Sequence, residues 1–219
     1  MDQKDIINGS IADHEVIRRI LQGEKHLYEH IIRRYNQRLY RVGMSIINDD
    51  AEVEELMQIT YIKAYESIGK FEFKSSFSTW ITRILINECL MSLKRRKKIN
   101  EANDSMYPSS YHHYSMDKQT PLIKVLNSEL KEVLERSIQS LPEKYRIVFV
   151  MREIENMNIA ETKECLGISE TNVKVRLNRA KSLLRDSLSS YVKKEELLHF
   201  HLSRCDNMVQ KVMDRIRAI

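Results

Sequence analysis

The chain has 219 residues, room for one large domain or two small ones, and its 42% hydrophobic content is enough to build a core. Five Gly and three Pro among abundant Leu, Ile, Glu, Lys and Arg favour helices, and a net charge of +5 is compatible with a polyanionic partner. Three scattered cysteines (Cys89, Cys165, Cys205) exclude a disulfide framework or zinc ribbon, and the longest apolar run, IVFVM at 147–151, is too short to span a membrane.

The thiols read as buried side chains in a reducing compartment. The first residues, MDQKDIINGSIADHEV, have no apolar signal core, so a cytoplasmic protein without membrane insertion is expected. In chain order, 13–22 predicts a helix, with Asp13 as N-cap and Gly23 as stop. A longer helix over about 24–47 carries Leu27, Ile31, Tyr35, Leu39, Val42 and Ile46 on one face. Asn48-Asp49-Asp50 breaks it. The next helix opens with acids, which suit a helix N-terminus, and runs to Gly69. KFEFKSSFS reads as a loop, and a fourth helix is expected over about 78–97, ending in Lys94-Arg95-Arg96-Lys97-Lys98.

Residues 100–121 are polar, lack apolar periodicity and contain two prolines, so they predict a linker. A helix over about 122–139 follows, then another in SLPEKYRIVFVMREI, with Pro142 in its first turn after a cap at Ser140 or Leu141. A final helix pair is expected within 190–219. The fold class is all-α: a domain over 10–99, a linker over 100–121, a second domain over 122–188 and a helical extension over 189–219.

Residues 158–185 predict a helix-turn-helix. A short helix ends at Leu166, Gly167 supplies the left-handed turn, Ile168 plugs the core, and Ser169 caps the second helix. Val173, Leu177, Ala180 and Leu184 form the apolar face. Lys174, Arg176 and Arg179 lie mainly off it, with Asn172 and Asn178 able to read adenine edges in a major groove. A solvated helical hairpin with ordinary surface charge is the plainer alternative.

Together, residues 27–98 and 122–187 resemble the extracytoplasmic-function group of bacterial sigma-70 family factors. The carrying stretches are LYEHIIRRYNQRLYRVGMSIINDDAEVEELMQITYIKAYESIGKF, FSTWITRILINECLMSLKRRKK, SLPEKYRIVFVMREI and the helix-turn-helix. The resemblance implies a subunit that binds core RNA polymerase through its β′ subunit, melts the minus-ten promoter element and reads the minus-thirty-five element. Core binding would fall on Glu54, Glu55, Leu56, Gln58, Tyr61 and Ile62. Minus-ten contacts would fall on Ser75, Ser76, Phe77, Thr79, Trp80, Arg83, Asn87, Lys94 and Arg95, with Asn87 at the flipped-base position. Minus-thirty-five contacts would fall on Ser169, Thr171, Asn172, Lys174, Val175, Arg176, Asn178 and Arg179. An anti-sigma factor is an implied partner, and no cofactor or catalytic residue is implied.

The physical sense is direct. Unstacking a base costs a few kcal/mol, which pocket contacts to the flipped base offset. Hydroxyls and an amide can bond base edges, an aromatic stacks at about 1–3 kcal/mol per base, and the basic run holds phosphates. Competing readings stay open, with Trp80 and Phe77 as core and the basic run as a solvated helix end, while Asp49 and Asp50 are read as caps. Thr162 and Lys163 stand where the family usually has an apolar and a small residue, which questions the packing there. Thr171-Asn172 and Ile59 also depart from the usual pattern.

Other constellations are weaker. His26 and His30 sit in an H-x-x-E-H pattern without a third ligand, and His199, His201 and Cys205 are one ligand short of a structural metal site. His112 and His113 read as solvated. A stand-alone helix-turn-helix regulator binding a palindrome as a dimer is the alternative function, and a helical scaffold a third.

Overall fold

The computed structural model describes residues 12–103, 131–189 and 202–217, and among these the regular structure is helical. The predicted linker beyond Asn103, the start of the 122–139 helix and the His112, His113, His199 and His201 positions lie outside the described residues. In chain order the helices are α1 (Asp13–Leu21), α2 (Tyr28–Ile46), α3 (Asp50–Ser67), α4 (Phe77–Asn103), α5 (131–139), α6 (Glu143–Phe149), α7 (Ile159–Leu166), α8 (Glu170–Ser189) and α9 (Leu202–Arg217).

Local chemistry explains most boundaries. Asn48 takes φ 55°, and Asp49 caps α3 by accepting from the Glu52 backbone N–H, so NDD ends one helix and starts the next. Asp13 is not a cap. It lies inside α1, where its carboxylate takes the Arg34 guanidinium at 2.5 Å and the Tyr35 hydroxyl, both on α2. The long helix predicted from 24 begins as a 3₁₀ turn, Lys25–Leu27, before α2 proper. Pro142 sits at the N-cap of α6 itself, one step later than expected. After Phe149 the helix widens into a π turn over Val150–Ile154, closed by the Glu155 N–H donating to the Val150 carbonyl at 2.9 Å.

The first domain packs α2, α3 and α4 against one another, with α1 across α2. Leu39, Val42, Val53, Ile81 and Leu85 are fully enclosed. Gly43 lets α2 and α3 approach closely: a β-carbon there would lie 2.7 Å from Val53 Cγ1. Polar ties join α3 to α4, namely Lys63 to Glu88 at 2.7 Å, and Ser92 and Arg96 to Glu52.

In the second domain, Leu141, Ala180 and Leu184 form a small core with Ile138, Tyr145 and Phe149. The rest of its interior is shared. Val148, Met151, Met157, Cys165 and Val173 belong to the same buried cluster as Ile31, Leu39 and Ile81, because α7 packs on α4 and α6 on α2. At this seam the nearly enclosed Glu155 carboxylate takes Arg38 Nε at 3.1 Å and Arg41 Nη1 at 3.0 Å. Arg38 also donates to the Glu155 carbonyl and to Ser78 Oγ, and Arg146 donates to the Ser45 carbonyl at 2.7 Å. An open groove of about 380 Å³ runs along the seam, lined among others by Tyr40, Met44, Asp50, Leu134, Glu135 and Ile138.

Candidate nucleic-acid and polymerase interface

Helix α4 is the first candidate element. Ser76 accepts from the Thr79 backbone N–H at 3.1 Å, which starts the helix. Phe77 and Thr79, expected at bases, are buried, and Thr79 is covered by α7: Cys165 Sγ donates to its carbonyl at 3.5 Å. Ser75 is half-buried and Ser76 exposed. Trp80 is half-buried, its ring 5.1 Å from Phe71 and 5.4 Å from Phe77. The core reading therefore holds for Phe77 in this arrangement, while Trp80 shows one side to solvent.

The accessible aromatic is Phe73, which the sequence reading passed over. It is 54% exposed, packs its ring against Phe71 at a 53° tilt with centroids 4.6 Å apart, and holds φ 55°, a conformation a bulky residue adopts only under constraint. Its signal was present in KFEFKSSFS as an aromatic in a polar loop. Further along α4, Arg83, Asn87, Leu90, Met91, Lys94, Arg95 and Lys98 are all exposed, and their spacing puts all but Arg95 on one stripe. Lys94, Arg95, Lys97 and Lys98 surround an open pocket of about 320 Å³. Arg96 is the exception, turned back to Glu52 on α3. Helix α4 continues as far as Asn103, past the 97 expected, so the basic run is helical and its charges are held in register.

The helix-turn-helix forms as the spacing predicts. Asn158 and Glu161 make a reciprocal capping box on α7. Gly167 takes φ 63°, and Ser169 Oγ accepts from the Asn172 N–H at 3.2 Å. Val173, Ala180 and Leu184 are buried and Leu177 is half-buried. Thr171, Lys174, Val175, Asn178 and Arg179 point outward, with Val175 60% exposed. Asn172 and Arg176 are half-buried and bonded to each other at 2.9 Å. The packing question at Thr162 and Lys163 resolves simply: Thr162 is enclosed with its hydroxyl on the Asn158 carbonyl, and Lys163 reaches out to Glu170 at 3.2 Å.

On α3, Glu54, Glu55, Gln58 and Ile62 form the outer face, Ile62 being 60% exposed. Leu56 and Tyr61 are buried instead; the Tyr61 hydroxyl donates toward Asn36 Oδ1 at 2.9 Å, and burial raises its pKa well above the usual phenol range. They support this face from behind. Burial likewise pushes the Cys89 and Cys165 thiols up to about 12, as inert core groups. Of the histidine pair, His26 is exposed and His30 half-buried, and no group of three metal-ligating side chains occurs among the described residues. No described helix is long and apolar enough to cross a membrane.

Comparison with known proteins finds two family matches in the chain. Residues 31–99 match the sigma-70 region 2 family and residues 131–184 the sigma-70 region 4 family. The chain is 27% identical over 176 residues to the ECF RNA polymerase sigma factor SigW of Bacillus subtilis, covering 78% of this chain and 94% of that protein. It is 24% identical over 183 residues to the ECF RNA polymerase sigma-E factor of Haemophilus influenzae, covering 81% and 96%. In fold it is similar to the sigma factor RpoE of Bartonella quintana, solved with the anti-sigma factor NepR (TM-score 0.63, 17% identity, 74% of this chain and 96% of that one). It is also similar to CnrH, solved with the cytosolic domain of CnrY (TM-score 0.59, 20% identity, 82% and 99%). A helical scaffold and a stand-alone regulator fall away, because both sigma-70 regions occur in this one chain and its relatives are sigma factors. The chain belongs to the sigma-70 family of RNA polymerase sigma factors, with the two-region layout of the extracytoplasmic-function group, and directs promoter-specific transcription initiation.

Proposed function

We propose a division of labour among three faces. The outer face of α3 (Glu54, Glu55, Gln58, Ile62) docks on a basic surface of core polymerase, β′ in this reading, with Leu56 and Tyr61 holding it in place. The loop before α4 and the α4 stripe open the minus-ten element. Phe73 and the open side of Trp80 offer stacking surfaces, Asn87 bonds an extruded base, and Ser75 and Ser76 bond base edges. Arg83, Lys94 and Arg95 hold the phosphates. The outer face of α8 lies in the major groove at the minus-thirty-five element: Lys174 and Arg179 reach phosphate or guanine, Asn178 a base edge, and Val175 a thymine methyl. Asn172 is held by Arg176, so this pair acts together, and Thr171 and Ser169 sit where the helix N-terminus meets the backbone.

The domains take the bounds 10–99 and 122–188, with 100–121 between them, its first residues 100–103 continuing α4, and 189–219 as an extension. The chain supplies no bond-making chemistry; polymerase does, in the cytoplasm. An anti-sigma factor is the remaining partner, supported by the two fold neighbours having been solved as complexes with one or with a cytosolic partner domain.

The observation that carries the reading is the single exposed stripe on α4, amide and apolar groups followed by cations, beside the outward Phe73. Run-off transcription with core polymerase, with permanganate mapping of unpaired thymines, tests it. Unpaired bases over the minus-ten element should appear only with both proteins present. Binding to core without any opened promoter sinks the α4 assignment.

A further inference from the structure

We infer that helix α9 docks in cis on the acidic outer face of α3, as an in-chain competitor for that face. Helix α9 carries Met208, Val209, Val212, Met213 and Ile216 at 55, 56, 50, 42 and 56% exposure. Their spacing of one, three, one and three residues makes one apolar stripe along the helix. All of 208–217 is exposed. A 16-residue helix is marginal in water by itself, so an uncovered stripe of this size calls for a partner surface. Lys211 and Arg215, one turn apart, border one edge of the stripe.

The complementary surface is on α3. Glu55, Gln58, Ile62 and Glu66 follow one another along an exposed line, with Glu54 at its side. Ile62 gives a central apolar contact, and none of Glu54, Glu55 and Glu66 has an ion-pair partner among the described residues. Among the other exposed apolar side chains, Leu90, Met91 and Ile99 of α4 and Val175 of α8 lie among lysines and arginines, and Leu134 shares its groove with Arg41, Lys131 and Arg146, cations that would repel Lys211 and Arg215; Leu21 and Phe73 are single apolar side chains away from these groups.

The tether reaches. The described end of α8 lies beside α5, where Ser187 Oγ meets Ser137 Oγ at 3.2 Å. Ser137 is on α5, whose Leu134 and Ile138 line the same groove as Asp50, the first residue of α3. Residues 190–201 are twelve in number and extend to at most about 40 Å. A connection of this length makes any encounter of α9 with α3 an intramolecular one. The docking stands on these observations alone. Its regulatory consequence rests on the assignment of α3 to polymerase: a tail docked nine-tenths of the time weakens core binding about tenfold.

Zero-length carbodiimide cross-linking of the full chain, read by peptide mass spectrometry of the monomer, tests the docking. Lys211 should join Glu54, Glu55 or Glu66, and Val212→Asp should abolish the link. Links found only in a dimer make a second copy the occupant and overturn the inference. So do links to other carboxylates, no link at all, or a link that survives Val212→Asp. Titration with purified core polymerase then separates the two claims. Val212→Asp should bind up to about tenfold more tightly. A monomer cross-link with unchanged polymerase affinity leaves the docking standing and rejects α3 as the polymerase face.

Discussion

Helices α4 and α8 both present a polar stripe over an apolar back, yet they are supported differently. Helix α4 is 27 residues long, and its buried side reaches into the largest cluster in the molecule. Helix α8 has a much smaller core, three buried residues with a few half-buried neighbours, plus Val173 at the seam. The start of α4 is covered, with Thr79 under α7 and Ser78 tied to Arg38, whereas the reading face of α8 is open. Duplex reading needs only an exposed, pre-formed helix. Strand opening, the role proposed for α4, needs a rigid wedge with aromatic neighbours, and the base of α4 doubles as a domain contact.

The thiols give the sharpest test, because Cys89 lies inside the first domain and Cys165 at the seam. Both are pushed up to about 12 from an ordinary 9.0, so both stay protonated at neutral pH. Thiol-reagent kinetics at pH 8 should show both reacting orders of magnitude more slowly than in denaturant. Glu155→Ala removes the shared partner of Arg38 and Arg41, and should speed Cys165 but not Cys89. Equal acceleration of both would mean that the seam and the core are one cooperative unit. The linkage has a definite sign: the unfolded thiols ionise first, so their contribution is complete below pH 9 and is lost as pH climbs from 9 toward 12.

Next in size is the contrast between buried leucines. Leu85→Ala in α4 should cost about 2–5 kcal/mol in denaturant unfolding, since no solvent can relieve the cavity. Leu184→Ala should fall at the low end of that range, because its small cluster can collapse. Similar losses would show that α8 is held as firmly as α4.

A pair of asparagines separates the two helices by function. Asn87→Ala should slow open-complex formation about tenfold while leaving duplex binding near its original strength. Asn178→Ala should weaken minus-thirty-five binding by about 1–3 kcal/mol and leave opening of a pre-bound promoter unchanged. Should both lower duplex binding alone, the assignment of α4 to opening fails.

The smallest effect is at the α7 capping box. Asn158→Ala should cost about 1 kcal/mol, read as a modest fall in melting temperature. Because α7 covers the start of α4, the same change should also raise Cys165 reactivity; no such rise would mean that α7 keeps its seat without its cap.

Much of this was legible in the residues. The Asp49 cap, the Gly167 turn, the Ser169 cap and the apolar face Val173, Ala180, Leu184 are local matters of backbone conformation and short spacing, which sequence states directly. The exposure of Asn87, Lys94, Lys174 and Arg179 was legible for the same reason, since helical period places them away from a core face; their assignment to DNA came from the family resemblance and stands as a proposal. What sequence did not disclose depends on distant partners. Asp13 reads as a cap until Arg34 and Tyr35 are seen above it, and Leu56, Tyr61, Phe77 and Thr79 read as contact residues until their neighbours enclose them. The Glu155 seam joins residues more than a hundred positions apart. The chain by itself determined its helices, caps and polar faces, because hydrogen bonds three or four residues apart decide those. Only the tertiary structure decided which side chains are covered and that the two domains share a core, because burial is set by whichever surfaces meet, and no local pattern encodes the meeting.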